Sequence, residues 1–142
     1  MFESALLLGT NLGDKIQNLN TARTLLMEKL GAIHIKSKVC ETGAVGFNGN
    51  DFLNQILVFR TPLSPFDLLR TTQSIELTMG RKRNPLATGY ENRIIDIDIL
   101  YVNDFELHSP VLRLPHPQIY KRDFVARLYK SLHGNVSSKL KI

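Results

Sequence analysis

Cysteine is almost absent from this chain of 142 residues: Cys40 is the only one. It has no internal partner for a disulfide, and the expected setting is a reducing cytoplasm. Long apolar runs are missing too. No window approaches the roughly 20 apolar residues of a membrane span, so no membrane association is expected. The opening, MFESALLLGTNLGD, carries an early glutamate and only a short apolar run, which does not read as a secretory signal. Repeats, low-complexity tracts and linker-like stretches are also absent, which leaves one domain over residues 1–142 as the expected organisation. Acidic residues are outnumbered, 13 Asp and Glu against 18 Lys and Arg, for a net charge of +5.

What is present is enough for a core. Hydrophobic residues make up 43%, which argues against disorder. A basic balance suits nucleic acid or a small anion such as a nucleotide. The densest basic cluster, GRKR, ends at Arg83 and lies just before an aspartate pair, Asp96 and Asp98. Positive charge beside paired carboxylates points to a metal–phosphate site more than to a nucleic-acid track.

The pattern along the chain predicts a first strand over Ser4–Leu8. GTNLGD follows, and Asp14 with Gln17 resembles a capping box. Ile16, Leu19, Ala22, Leu26 and Leu30 recur at helical spacing, with Gly31 as C-cap. IHIKSKV (33–39) alternates as a half-buried strand should. FLNQILVFRT (52–61) reads as a further strand. Ser64 and Pro65 open a second helix running to Met79. The aspartate strand spans about 94–102, Asn103-Asp104 is a turn and FELHS a short strand. RLPHPQIYKR reads mostly as loop, 123–132 as helix, and 133–142 as a frayed tail. The expected fold is α+β: a ferredoxin-like βαββαβ sandwich, with a mostly antiparallel sheet, helices packed on it and extra C-terminal elements. The connections 41–51 and 80–92 exceed ordinary loop length, as binding loops do.

Asp96 and Asp98 share one strand face roughly 7 Å apart. That face would also carry Ile94, Leu100 and Val102. The other would carry Ile95, Ile97, Ile99 and Tyr101. A strand apolar on both faces is expected to be central and covered. Neighbouring buried carboxylates repel, and a divalent cation that also binds phosphate compensates them. Spacing alone leaves a solvent-facing strip equally open. GTNLGD lacks the ending of a Walker A and the spacing of a dinucleotide fingerprint, so a plain strand-to-helix turn is the better reading. A mobile loop carrying Arg81, Arg83 and Arg93 could close over polyphosphate, to which arginine forks are suited. His116 sits between prolines, with Arg122 six residues on. Asn54 lies mid-strand on the face of Phe52, where a buried amide needs partners. Phe52, Phe124 and Cys40 are core residues by default, and Gln73 with Glu76 plain helix surface.

Together, GTNLGDKIQNL, DFLNQ, LSPFDLL, IELTMGRKR, NRIIDIDIL and LPHPQIYKRDFV resemble the 6-hydroxymethyl-7,8-dihydropterin pyrophosphokinase family of folate biosynthesis. The resemblance covers nearly the whole chain. It implies transfer of pyrophosphate from ATP to the pterin hydroxymethyl group, giving AMP and the pterin diphosphate. It implies two Mg²⁺ ions on Asp96 and Asp98, and a phosphate clamp from Arg83 and Arg93. Tyr90 matches an aromatic of the same loop. Gln73, Glu76, Ile99, His116 and Arg122 match positions lining the ATP site. Phe52 and Phe124 match the aromatics that sandwich the pterin. Asn54, Thr42, Gly43 and Val45 match groups that read its edge. Asn92 and Ile94 depart from the family's pattern before the aspartates, and Thr88 and Gly89 stand where an arginine is common. Small-molecule substrates, no nucleic acid and a monomer or weak dimer are expected. The rivals are a basic ferredoxin-like RNA-binding module, which needs exposed sheet aromatics, and a catalytically dead nucleotide-binding relative.

Overall fold

A computed structural model of the chain describes residues 1–43, 49–81 and 93–132. It runs β1 (Phe2–Thr10), α1 (Lys15–Leu30), β2 (Ile33–Lys36), β3 (Cys40–Thr42), β4 (Phe52–Thr61), α2 (Pro65–Thr78), β5 (Asp96–Val102), β6 (Leu107–His108), β7 (Arg113–Leu114), α3 (Gln118–Lys121) and α4 (Asp123–Lys130). The main sheet has the order β2-β4-β1-β5, with β3 on the remaining stretch of β4, and every pairing is antiparallel. This is the ferredoxin-like order, produced by two helical crossovers.

The apolar periodicities place the layers. Leu19, Ala22, Leu26 and Leu30 of α1 join Leu68 and Ile75 of α2 on one sheet face, over Leu6, Leu8, Leu57, Phe59, Ile97 and Ile99. Ile119, Phe124, Val125 and Leu128 cover the opposite face, over Ala5, Leu7, Ile56, Val58 and Leu100. Each such side chain contributes roughly 1.5–3 kcal/mol by leaving water. Truncating a fully buried one, such as Leu68→Ala, costs about 2–5 kcal/mol.

Local chemistry sets the element ends. Asp14 caps α1 by accepting the Gln17 N–H at 3.0 Å. The reciprocal half of the box is missing, because Gln17 donates to Thr21 Oγ1 instead. Gly31 ends α1 at a φ of 95°, a region that favours glycine. Ile16 is 67% exposed, so the buried stripe begins only at Leu19.

Other expectations need correction. The strand expected over 33–39 ends at Lys36, and a separate strand, β3, follows only at Cys40. Ser37 interrupts the run: its Oγ accepts the Ile56 N–H at 2.9 Å, its own N–H donates to Ile56 O at 2.9 Å, and its carbonyl accepts from Gln55 Nε2 at 2.8 Å. RLPHPQIYKR is not mostly loop, since Arg113–Leu114 is β7, paired with β6 as a hairpin, and Gln118–Lys121 is α3. The aspartate strand is not central: β5 ends the sheet. It reads as central because its apolar residues pack on both sides of the sheet and its outer edge is occupied. Glu76 of α2 accepts the Ile97 N–H at 2.9 Å, and the Leu100 carbonyl accepts the His116 N–H at 2.8 Å. β5 also carries a bulge. Ala5 pairs with Tyr101 and Leu6 with Ile99, so Leu100 is the extra residue. Beyond it the faces exchange: Tyr101 packs with Leu100 on the α4 side, and Val102 on the side of α1 and α2.

Candidate active site

The site grows from the sheet register. Gly9 of β1 pairs with Asn54 of β4 on one side and with Asp96 of β5 on the other. Leu7 pairs likewise with Ile56 and Asp98. Asn54, Gly9 and Asp96 therefore form one row across three strands. A cleft opens above it, lined by Leu7, Gly9, Phe52, Asn54, Arg93, Asp96, Asp98 and Arg122. Gly9 keeps the floor low, because a Cβ there would sit 3.3 Å from Asn54 Oδ1 and 3.7 Å from the Phe52 ring. Asn54 is buried, and its amide donates to Cys40 O at 3.2 Å and to Thr42 Oγ1 at 2.9 Å. Gly43 is at the end of that segment. Arg122 stacks on Phe124, its guanidinium carbon 4.5 Å from the ring centre. Phe124 itself is buried in the core.

On the side of α2 the same edge strand borders other hollows. One holds Gln73, Glu76, Arg81, Arg93, Asp96 and Asp98. Another, of about 390 Å³, runs between Leu69, Asp98, Ile99, His116 and the β6–β7 hairpin as far as Lys121. Asp98 borders the cleft and both hollows. An edge position makes this possible, since a central strand has no open side connecting its two faces.

The charges are interlocked. Glu76 is buried and pairs with Arg81, which also holds Asp96 at 3.0 Å, while Arg93 reaches Asp96 at 3.2 Å. Burial raises the Glu76 carboxyl above its usual range, against the Ile97 N–H and Arg81, which hold it down. Asp98 makes no hydrogen bond or ion pair among the described residues. Burial, then the charges of Asp96 and Glu76, push its carboxyl up to about 8, against Arg93 and Arg81. His116 has its imidazole lowered, mainly by burial, with Asp96 opposing and Arg122 adding. Its Nδ1 accepts the Gln118 N–H at 3.1 Å, which leaves Nε2 as the nitrogen free to face a ligand.

Of the residues expected from sequence, the structure brings together Phe52, Asn54, Arg93, Asp96, Asp98 and Arg122 around the cleft. Gln73, Glu76, Ile99 and His116 lie along the adjoining hollows. Thr42 accepts from Asn54, Gly43 follows it beside Asp51, and Phe124 lies beneath Arg122. Val45, Arg83 and Tyr90 fall outside the described residues. Leu7 and Gly9 were not singled out as site residues by sequence. Their signal was only the place of GTN directly after a strand. Arg81 read as one member of a basic cluster, with nothing to mark its double ion pair.

A sequence model of 7,8-dihydro-6-hydroxymethylpterin-pyrophosphokinase matches residues 5–133. The chain belongs to that family. A 2-amino-4-hydroxy-6-hydroxymethyldihydropteridine pyrophosphokinase of Porphyromonas gingivalis is 41% identical over 120 residues, covering 83% of this chain and 82% of the relative. The Bacillus subtilis protein of the same name is 38% identical over 120 residues, covering 83% and 70%. Among solved structures, Plasmodium falciparum HPPK-DHPS with pteroate superposes at a TM-score of 0.74 over 97% of this chain, with 16% identity, and supports the fold. This chain spans 40% of the length of that one, and 38% of the same protein solved with STZ-DHP, at a TM-score of 0.67. No helix among the described residues is long and apolar enough to cross a membrane.

Proposed function

We propose that Asp96 and Asp98 hold magnesium for the reaction of this chain, the transfer of pyrophosphate from ATP to 6-hydroxymethyl-7,8-dihydropterin in folate synthesis. The observation that carries the reading is Asp98, a carboxyl with no partner among the described residues, placed where the cleft meets the hollows beside α2. The donor set fits a hard cation. Two carboxylate side chains on one strand face supply oxygen ligands, and no group of three or more ligating side chains forms among the described residues. That suits Mg²⁺, which keeps several positions for water and substrate phosphates. Two ions are the proposed complement. Bound there, they would neutralise phosphate charge and activate the attacking hydroxyl.

The chain's own residues divide the remaining work. Phe52 and Phe124 stack the pterin, with Arg122 giving up its place on the Phe124 ring. Asn54, Thr42, Gly43 and Val45 read the pterin edge, and an enclosed cleft keeps water from the reacting hydroxyl. Gln73, Glu76, Ile99 and His116 line the nucleotide side. Arg83, Arg93 and Arg122 grip phosphate oxygens, with Tyr90 closing over them. Held in line, the pterin hydroxyl oxygen loses its proton to solvent and bonds to the β-phosphorus of ATP as the bond from that phosphorus to the α,β-bridging oxygen breaks, and AMP leaves with the electron pair of that bond. Helices pack on both sheet faces, which favours a small-molecule cleft over an exposed RNA-binding sheet. Residues 1–142 act as one domain, as a monomer or weak dimer in the cytoplasm.

The test is incubation with ATP, Mg²⁺ and the dihydropterin while AMP and ADP are separated. AMP and pterin diphosphate are expected in equal amounts, and EDTA stops their formation. ADP as the main nucleotide product, or undiminished turnover in EDTA, would overturn the reading.

A further inference from the structure

Asn11 lies in GTNLGD, outside every role given so far. It is 1% exposed, although it follows the last residue of β1. Its N–H donates to the Arg93 carbonyl at 3.0 Å, and its Oδ1 accepts the Arg93 N–H at 2.6 Å. The same side chain turns its other end the opposite way. Nδ2 donates to the Asn50 carbonyl at 3.1 Å, and Asn50 Nδ2 donates back to the Asn11 carbonyl at 3.2 Å. Lys15, at the start of α1, reinforces the second contact by donating to Asp51 O at 3.1 Å.

These bonds join two strand entries that are far apart in sequence. Arg93 stands three residues before Asp96 and pairs with it at 3.2 Å. Asn50 stands two residues before Phe52, whose ring lines the cleft with Asn54. One buried amide thus sets the separation between the arginine of the phosphate side and the aromatic wall of the pterin side. Only an amide of this length meets both demands. Aspartate keeps the acceptor for Arg93 but loses the donor to Asn50, alanine loses both, and glutamine displaces both by a methylene. A plain turn residue would need neither bond.

We propose that Asn11 is a positioning residue that couples the two substrate halves, a role that rests on the function proposed above. Nucleotide that draws Arg93 onto its phosphates steadies the entry to β5. Through Asn11 it steadies the entry to β4, so the Phe52 wall is ordered before pterin arrives. Each ligand then raises the affinity for the other by the same factor.

The experiment is a fluorescence titration of 6-hydroxymethylpterin with Mg²⁺, with and without α,β-methylene-ATP, whose α–β link cannot be cleaved. It compares the wild type, Asn11→Asp, Asn11→Ala and Leu26→Ala. Leu26 is in the α1 core and takes no part in the Asn11 hydrogen bonds, so its variant controls for lost stability. The nucleotide is expected to tighten pterin binding to the wild type, and this gain to fall at least tenfold in both Asn11 variants. Their affinity for each ligand alone changes less than about threefold, and Leu26→Ala keeps the gain. Wild-type coupling in Asn11→Asp, or an equal loss in Leu26→Ala, overturns the role of Asn11 while AMP formation by the wild type still supports the reaction. A wild-type chain that forms no AMP overturns both.

Discussion

Replacing Asp98 with asparagine should stabilise the metal-free protein while abolishing turnover, and the size of the gain follows from the site. Burial and the neighbouring charges of Asp96 and Glu76 hold the folded carboxyl at about 8, far above the ordinary aspartate value near 3.9. The folded state therefore binds this proton more tightly than the unfolded chain. The contribution is complete below about pH 4 and is lost as pH rises toward 8, at no more than about 1.4 kcal/mol per pH unit. Solvent at the cleft mouth relieves part of this, so about 1–3 kcal/mol is expected to be missing at pH 8. Asparagine keeps the shape and cannot ionise. In a chain of this size the gain raises Tm by about 3–9 °C. The assay is thermal unfolding by circular dichroism in EDTA at pH 5, 6, 7 and 8. Wild type and variant should lie closest at pH 5 and diverge further as pH rises. A variant equal to or less stable than wild type at pH 8 would refute the account of Asp98 as a destabilising charge that awaits a cation. With Mg²⁺ and ATP the order reverses: the wild type gains stability, the variant gains little and its AMP formation is lost.

Gly9→Ala places a methyl 3.3 Å from Asn54 Oδ1 on the cleft floor, so KM for the pterin should rise about tenfold with KM for ATP nearly unchanged; steady-state kinetics with each substrate varied decide it. Arg81→Met leaves Glu76 buried without its cation and removes one of the pairs on Asp96, which should cost about 3 kcal/mol in urea unfolding at pH 7. His116 is held below its usual value by burial, so the stability it lends is present above about pH 6.5 and lost as pH falls through the lowered folded value. His116→Gln should flatten that acid limb in melts between pH 5 and 7, and an unchanged limb would remove His116 from the account.

Much of the scaffold was legible because its signals are local. The bounds Phe52–Thr61 of β4 follow from a run of strand formers between Asp51 and Pro62, and the start of α1 from an Asp14 side chain that needs only the backbone three residues on. The aspartate pair was legible as well, since two charges on one face of an apolar strand require compensation. What escaped depends on contacts across the chain. Nothing near Leu100 announces a bulge: it appears when β1 pairs with β5 and a carbonyl is left to hold His116. The edge position of β5 was misread because Glu76 and the His116 segment occupy the edge and give it the apolar look of a central strand.

The sequence by itself determined the alternation and helical spacing that make this an antiparallel sheet with two crossover helices, the family to which the chain belongs, and the carboxylates that can carry its chemistry. Those are properties of near neighbours and of residue type. Only the tertiary structure decided that Gly9 is the cleft floor between Asn54 and Asp96, that Arg81 holds two acids at once, and that Asn11 ties Asn50 to Arg93 across separations of 39 and 82 residues. A buried amide or charge takes its role from the groups that replace its lost water, and those groups are brought to it only when the sheet closes.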